Sequence, residues 1–137
     1  MENKIDFEML YEDCVKAREK SYAPYSNAHV GACIYTKDGR KIYGANIENA
    51  SYGLTVCAER NCMFSSVMEE IKKDDILVLG ICATFKDYAW PCGACRQVMA
   101  ELLDMDTAVA VFNNKGEYKV LTVRDLLPFS FSKGDLK

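Results

Sequence analysis

Two short motifs hold the side chains with which this chain could do chemistry. Cys57-Ala58-Glu59-Arg60 and Pro91-Cys92-Gly93-Ala94-Cys95 together offer three thiolates and one carboxylate that need not be a ligand. Three protein ligands leave the fourth tetrahedral position of a zinc ion for water, whereas a structural zinc closes its shell with four Cys or His side chains. The pattern reads as a catalytic zinc site: Cys57, Cys92 and Cys95 hold the metal, and Glu59 is free to move protons.

The remaining cysteines and the single histidine do not extend that set. Cys14, Cys33 and Cys82 lie among apolar neighbours, where free cysteine behaves as a small buried hydrophobe. Cys62 follows Cys57 closely, but on a helix the two are rotated by roughly 140°, so Cys62 reads as packing rather than a fourth ligand. His29 has no ligand spacing and reads as a strand-edge residue. Seven cysteines with no secretory signal suggest reduced thiols. The start Met1-Glu2-Asn3-Lys4-Ile5-Asp6 is not a basic lead into an apolar run, and no stretch approaches membrane-spanning length, so a cytoplasmic protein is expected.

Size and charge restrict the partners. At 137 residues, half of them apolar, the chain should form one domain over 1–137. A net charge of −3 and the lack of a basic cluster argue against nucleic acid and favour a small-molecule substrate.

The elements that must position the motifs follow from periodicity. Phe7, Leu10, Cys14 and Ala17 recur at helical steps, so Asp6 to Lys20 should be an amphipathic helix. Val30 to Tyr35 and Lys41 to Ala45 read as strands joined through Lys37-Asp38-Gly39, a hairpin signal. A loop over Glu48 to Gly53 precedes a helix from Val56 to about Lys72. Ile76 to Ala83 is an almost continuous apolar run suited to a buried strand. Cys92 to Leu103 repeats the helical spacing and Thr107 to Phe112 the strand pattern. Asn113-Asn114-Lys115-Gly116 is too short for a parallel crossover, so the strand at Tyr118 to Leu121 should pair antiparallel. Thr122-Val123-Arg124-Asp125 has the form of a capping box, placing a short last helix before Pro128. The expected fold is a three-layer α/β/α sandwich around a five-stranded mixed sheet whose last two strands are antiparallel.

On this frame both motifs fall at helix N-termini. Free N–H groups and the helix dipole stabilise thiolates there. Cys92 and Cys95 share one helix face, and Cys57 comes from the neighbouring helix.

The chain resembles the small, zinc-dependent, homotetrameric cytidine deaminases over nearly its whole length. The resemblance rests on Ala23-Pro24-Tyr25-Ser26, Val30-Gly31-Ala32, Asn46-Ile47-Glu48-Asn49-Ala50, the two cysteine motifs with Arg96-Gln97, and Asp125-Leu126-Leu127-Pro128. It implies one zinc per subunit and hydrolytic deamination at C4 of cytidine or deoxycytidine, with Glu59 as proton carrier. It further implies that Arg60 hydrogen-bonds the cysteine sulfurs and offsets the net −1 charge of a divalent cation with three thiolates. Asn46, Ile47 and Glu48 match the segment that meets the nucleoside, Asn46 and Glu48 through the ribose hydroxyls, and the Ala58 backbone matches a contact to the pyrimidine edge. Tyr52 and Phe131 match positions that reach the site from neighbouring subunits of a homotetramer.

The chain departs from the family pattern at Ala28, where an aromatic residue usually stands, and the adjacent His29 points to the opposite face of an extended segment. Arg96 reads either as structural or as a subunit contact. Among relatives, deaminases of nucleoside antibiotics of the blasticidin S type are the alternative, but they lack the Asn-Ile-Glu-Asn segment.

Overall fold

The computed structural model describes residues 4–136; Met1 to Asn3, which carry half of the N-terminal reading above, lie outside them, as does Lys137. Helix α1 spans Phe7–Arg18 and is started by Asp6, whose carboxylate accepts from the Met9 N–H at 3.0 Å. Strands β1 (Val30–Thr36) and β2 (Lys41–Ala45) form an antiparallel hairpin, followed by helix α2 (Ala58–Met68) and strand β3 (Ile76–Ala83). Helix α3 (Gly93–Leu102) leads to strand β4 (Ala108–Phe112), then strand β5 (Tyr118–Thr122) and helix α4 (Val123–Leu126). The sheet order is β2-β1-β3-β4-β5. β3 and β4 are parallel, joined by the α3 crossover, and β4 and β5 are antiparallel as their short connection requires.

Alternation along the strands divides the core into two layers. Cys33 and Tyr35 of β1, Val78 and Cys82 of β3, and Phe112 of β4 face α1 through Leu10 and Cys14. Ala32, Ile34, Leu79, Ile81, Val109 and Val111 face the other way, against Met63 of α2 and Met99 of α3. The three-layer expectation holds because a sheet with both faces apolar must be covered on both. Two strand glycines set how closely the helices lie. A Cβ on Gly31 would come 2.0 Å from the Cys14 carbonyl oxygen of α1, and one on Gly44 would come 2.4 Å from the Cys62 nitrogen of α2.

Two boundaries differ from the sequence reading. α2 stops at Met68 rather than near Lys72, because Glu70 adopts φ +60 and its N–H reaches the Val67 carbonyl while Ile71 N–H reaches that of Ser66. This paired closure ends a helix, and here a glutamate occupies the position where glycine would announce the stop. α1 ends at Arg18, its last turn tightened by bonds from Lys20 to Ala17 and from Ser21 to Arg18. The Thr122 capping box is present as expected, with Asp125 N–H donating to Thr122 Oγ1 at 3.1 Å and Thr122 N–H to the Asp125 carboxylate at 3.0 Å. No helix among the described residues is long and apolar enough to cross a membrane.

Candidate active site

Each cysteine motif begins a helix. Cys57 is the N-cap of α2 and Cys92 the N-cap of α3, where its sulfur accepts from the Cys95 N–H at 3.4 Å. α2 and α3 both pack on the same face of the sheet, so the two N-termini converge. The sulfurs of Cys57 and Cys92 are 3.8 Å apart, those of Cys92 and Cys95 3.3 Å, and all three lie within 4.8 Å of one another. Thiolates bonded to zinc at about 2.3 Å in a tetrahedron stand about 3.8 Å apart, so the spacing of the set suits that ion. Among the described residues no other cluster of His, Cys, Asp and Glu has ligand spacing.

The surrounding groups favour the thiolate at Cys57. Cys57 is held down to about 5, first by the Cys95 thiol and then by Arg60 and Cys92, against the burial that raises it. The same contact with Cys57 pushes Cys95 up, with burial adding. Arg60 Nη2 donates to Cys57 Sγ at 3.4 Å, and that bond raises the guanidinium further above its ordinary value. The Arg60 Nε is buried with no hydrogen-bond partner among the described residues. Glu59, 4 % exposed, is pushed up to about 7 by burial, with the Cys57 charge adding. A carboxyl that titrates near neutrality suits both taking and giving a proton.

A cavity of about 180 Å³ opens in front of these groups. Cys57, Ala58, Glu59, Cys92 and Asn46 line it. Cys95 and Arg60 are not among its lining residues: Cys95 is buried, and Arg60 is half-buried behind Cys57. Grooves of about 550 and 570 Å³ flank α2, but they contain no ligand cluster, so the smaller cavity is the chemically competent one.

The segment 46–48 is strapped in place between two neighbours. Ile47 exchanges backbone bonds with Val56, while Tyr22 N–H reaches Asn46 and Glu48 N–H returns to Tyr22. The Asn46 amide donates to the Ala28 carbonyl and accepts from the Val30 N–H, both at 2.8 Å, fixing the 28–30 segment beside the cavity. Glu48 stands outside the cavity lining. One carboxylate oxygen accepts from the N–H groups of Tyr25 and Ser26, and the other from the Ser26 hydroxyl. These contacts hold its pKa below the usual carboxylate value, the Ser26 hydroxyl foremost. Ile47, Tyr52 and Phe131 are exposed and take no part in the cavity of a single chain.

The other sequence readings find plain structural roles. Cys14, Cys33, Cys62 and Cys82 are fully buried. His29 contacts the Ser21 hydroxyl and the Asn27 amide oxygen rather than any cysteine. Arg96 donates to the carbonyls of Pro91 and Leu126, tying the start of α3 to the end of α4. Sequence reasoning missed Val30, Thr55, Ile81, Phe85, Ala89 and Trp90, which complete the cavity. Nothing in their local spacing marks them as lining residues.

Comparison with known proteins places this geometry in a family. The model for the cytidine and deoxycytidylate deaminase zinc-binding region matches residues 5–111. A cytidine deaminase from Halalkalibacterium halodurans is 47% identical over 132 residues, covering 96% of this chain and 98% of that protein. Another, from Sporosarcina psychrophila, is 42% identical over 132 residues, covering 96% of each. A crystal structure of cytidine deaminase from Burkholderia pseudomallei superposes with a TM-score of 0.89 at 42% identity, covering 93% of this chain and all of that one.

Proposed function

The chain belongs to the cytidine and deoxycytidylate deaminase family, and we infer that it hydrolyses cytidine and deoxycytidine to uridine and deoxyuridine with release of ammonia. The observation that carries this reading is a cluster of three thiols within 4.8 Å of one another, two of which line one cavity with the buried Glu59. One zinc ion per subunit, held by Cys57, Cys92 and Cys95, would supply a Lewis acid beside which water is acidic enough to react near neutral pH. Glu59 carries the protons. It would accept one proton from the attacking water and place it on ring nitrogen N3 so that C4 becomes electrophilic, then take the second proton from the new C4 hydroxyl and deliver it to the amine, which leaves as ammonia as the C4–N bond breaks and C4=O forms. Its burial keeps bulk water from competing as donor or acceptor.

Asn46, Ile47, Glu48 and Ala58 form the nucleoside side of the site. After its bonds to Ala28 and Val30, the Asn46 amide retains one N–H and one lone pair for a ribose hydroxyl. Glu48 accepts three bonds from the Tyr25–Ser26 turn and, with about four lone-pair sites on a carboxylate, keeps one for a second hydroxyl. The turn thereby aims the carboxylate without exhausting it. Ala58, buried at the first position of α2, offers its backbone to the pyrimidine edge.

We further propose a homotetramer in which Tyr52 and Phe131 of neighbouring copies close each cavity. Support comes from their exposure, 74% and 57%, and from Met68 and Phe129, which leave large apolar surface uncovered on a single chain. Free thiols at all seven cysteines support a reducing, cytoplasmic setting. Names of the relatives described above favour cytidine over a nucleoside antibiotic as substrate. The test is ammonia release from cytidine, deoxycytidine, cytosine, CMP and blasticidin S, with zinc content measured on the same sample and molar mass by light scattering. Turnover of cytidine is expected; silence on cytidine with turnover of another compound would overturn the substrate assignment.

A further inference from the structure

The connection between β3 and α3 places two aromatic side chains where the metal chemistry has no use for them. Phe85 and Trp90 are 45% and 46% exposed, and both line the 180 Å³ cavity together with Cys57, Glu59 and Cys92. They are its only aromatic lining residues among those described. The start of β1 contributes the aliphatic Val30 and no ring.

The loop that carries them is held on several sides. Ala89 N–H donates to the Phe112 carbonyl at 3.1 Å, and Trp90 N–H to that of Tyr88 at 2.9 Å. The Tyr88 ring lies 6.3 Å from the Trp90 ring and is itself covered by Lys119 Nζ at 5.2 Å. Pro91, buried and fixed in φ, separates Trp90 from the ligand Cys92. An indole held in this way, half in contact with the protein and half facing a cavity, is pre-arranged to receive a flat ring at little entropic cost.

We propose that Phe85 and Trp90 are the residues against which the pyrimidine packs, with Trp90 holding the amine-bearing edge of the base toward Glu59 and the three thiols. The inference rests on the nucleoside reading above. It makes the β3 to α3 connection, rather than the segment around Ala28, the source of aromatic contact with the base from within the same chain. These residues bind and orient; they take no part in proton transfer.

The test combines steady-state kinetics with fluorescence of the zinc-loaded chain, whose emission is simple because Trp90 is its one tryptophan. Base contact with an aromatic face should make Trp90→Ala raise KM for cytidine about tenfold. The kcat should fall less than about threefold and zinc content stay unchanged, since loss of ring packing removes binding common to ground and transition states. Trp90→Phe retains a ring and should recover most of the KM. Uridine, a product that is not consumed, should shift or quench the emission saturably. A KM for Trp90→Ala within about twofold of wild type overturns the proposal, as does a loss confined to kcat. Should the alanine variant lose zinc or fail to fold, the uridine titration of the unaltered chain decides: emission unmoved at saturation overturns the proposal. A wild-type chain inactive on cytidine would sink the deaminase reading separately, because the fluorescence response to uridine does not depend on turnover.

Discussion

Gly44→Ala should damage this enzyme more than its single methyl group would suggest. A Cβ at that position would stand 2.4 Å from Cys62 N, 2.5 Å from the Ala58 carbonyl oxygen and 2.7 Å from Cys62 Cα. All three are backbone atoms of α2, so no rotamer change can relieve the contact. Ordinary carbon contacts begin near ~3.5 Å, and α2 must therefore withdraw from β2 by about 1 Å. Overpacking of this kind costs about 1–3 kcal/mol, and a clash with backbone belongs at the upper end. The functional loss follows from what α2 carries, because Cys57 caps it and Glu59 sits in its first turn. A displacement of about 1 Å at reacting groups costs about a hundredfold in rate. Gly31→Ala is the matched control: its Cβ would come 2.0 Å from Cys14 O and 2.5 Å from Arg18 N of α1, which packs on the other face and contributes no residue to the cavity. Both variants should lower the thermal midpoint by several degrees, measured by circular dichroism. Only Gly44→Ala should also lose kcat and zinc occupancy when assayed well below its midpoint. A Gly44→Ala protein with wild-type midpoint and kcat would refute the close-packing argument. Equal losses of kcat in the two variants would refute the claim that α2 displacement is the cause.

Three further outcomes follow from individual side chains. Glu59→Gln should keep zinc and lose about 10²–10⁴-fold in kcat, because it removes the proton carrier and spares every ligand; turnover near wild type would end the assignment. Cys92→Ala should lose tightly held metal and, through the coupling of ligation to folding, some stability, whereas one zinc per chain by elemental analysis would exclude Cys92 as a ligand. Asp13 is buried, accepts from Tyr35 Oη at 2.5 Å and Tyr43 Oη at 3.3 Å, and pairs with Lys41 Nζ at 3.0 Å. Burial raises its pKa, but Tyr35 and Lys41 outweigh that and hold it below the usual value. Its stabilisation is thus present above the unfolded pKa, about 3.9, and lost as the pH falls through the lower folded value. Asp13→Asn should cost about 1–3 kcal/mol in urea unfolding at pH 7, and the gap should narrow below about pH 4; a gap constant with pH would contradict the ionised pairing.

The parts of this molecule legible in the sequence are those fixed by local periodicity or local geometry. The strand at Ile76–Ala83 could be read because both faces of it are buried, and the β4 to β5 hairpin because a short turn permits only antiparallel pairing. The ligands could be read because Cys92 and Cys95 must share a helical face to hold one ion. The early end of α2 was not legible, since Glu70 adopts a left-handed conformation without the glycine that would signal it. Nor was the aromatic side of the cavity. Phe85 and Trp90 become lining residues only because β3 ends beside the N-terminus of α2, a long-range contact that no spacing within the 84–92 segment encodes.

The contrast between those two kinds of residue has a physical origin. Cys57, Glu59 and Arg60 belong to one helical turn, where each residue advances the direction by about 100°. Arg60 therefore returns to within about 60° of Cys57 and reaches its sulfur, while Glu59 points elsewhere on the turn and lines the cavity. The proposed ligand, proton carrier and compensating cation are thus set relative to one another by helix geometry, and a rigid-body movement of α2 does not alter their relation. Three thiolates leave a divalent cation with a net negative site, and a guanidinium bound to one of them withdraws part of that charge. The proposed nucleoside contacts have no such common frame. Asn46 and Glu48 are aimed by the turns at 22–30, and Trp90 by Pro91 and the end of β4, so each is positioned by a different part of the fold. Substitutions in those supporting segments should therefore change KM and substrate preference while leaving the metal and proton chemistry intact, and substitutions under α2 should do the reverse.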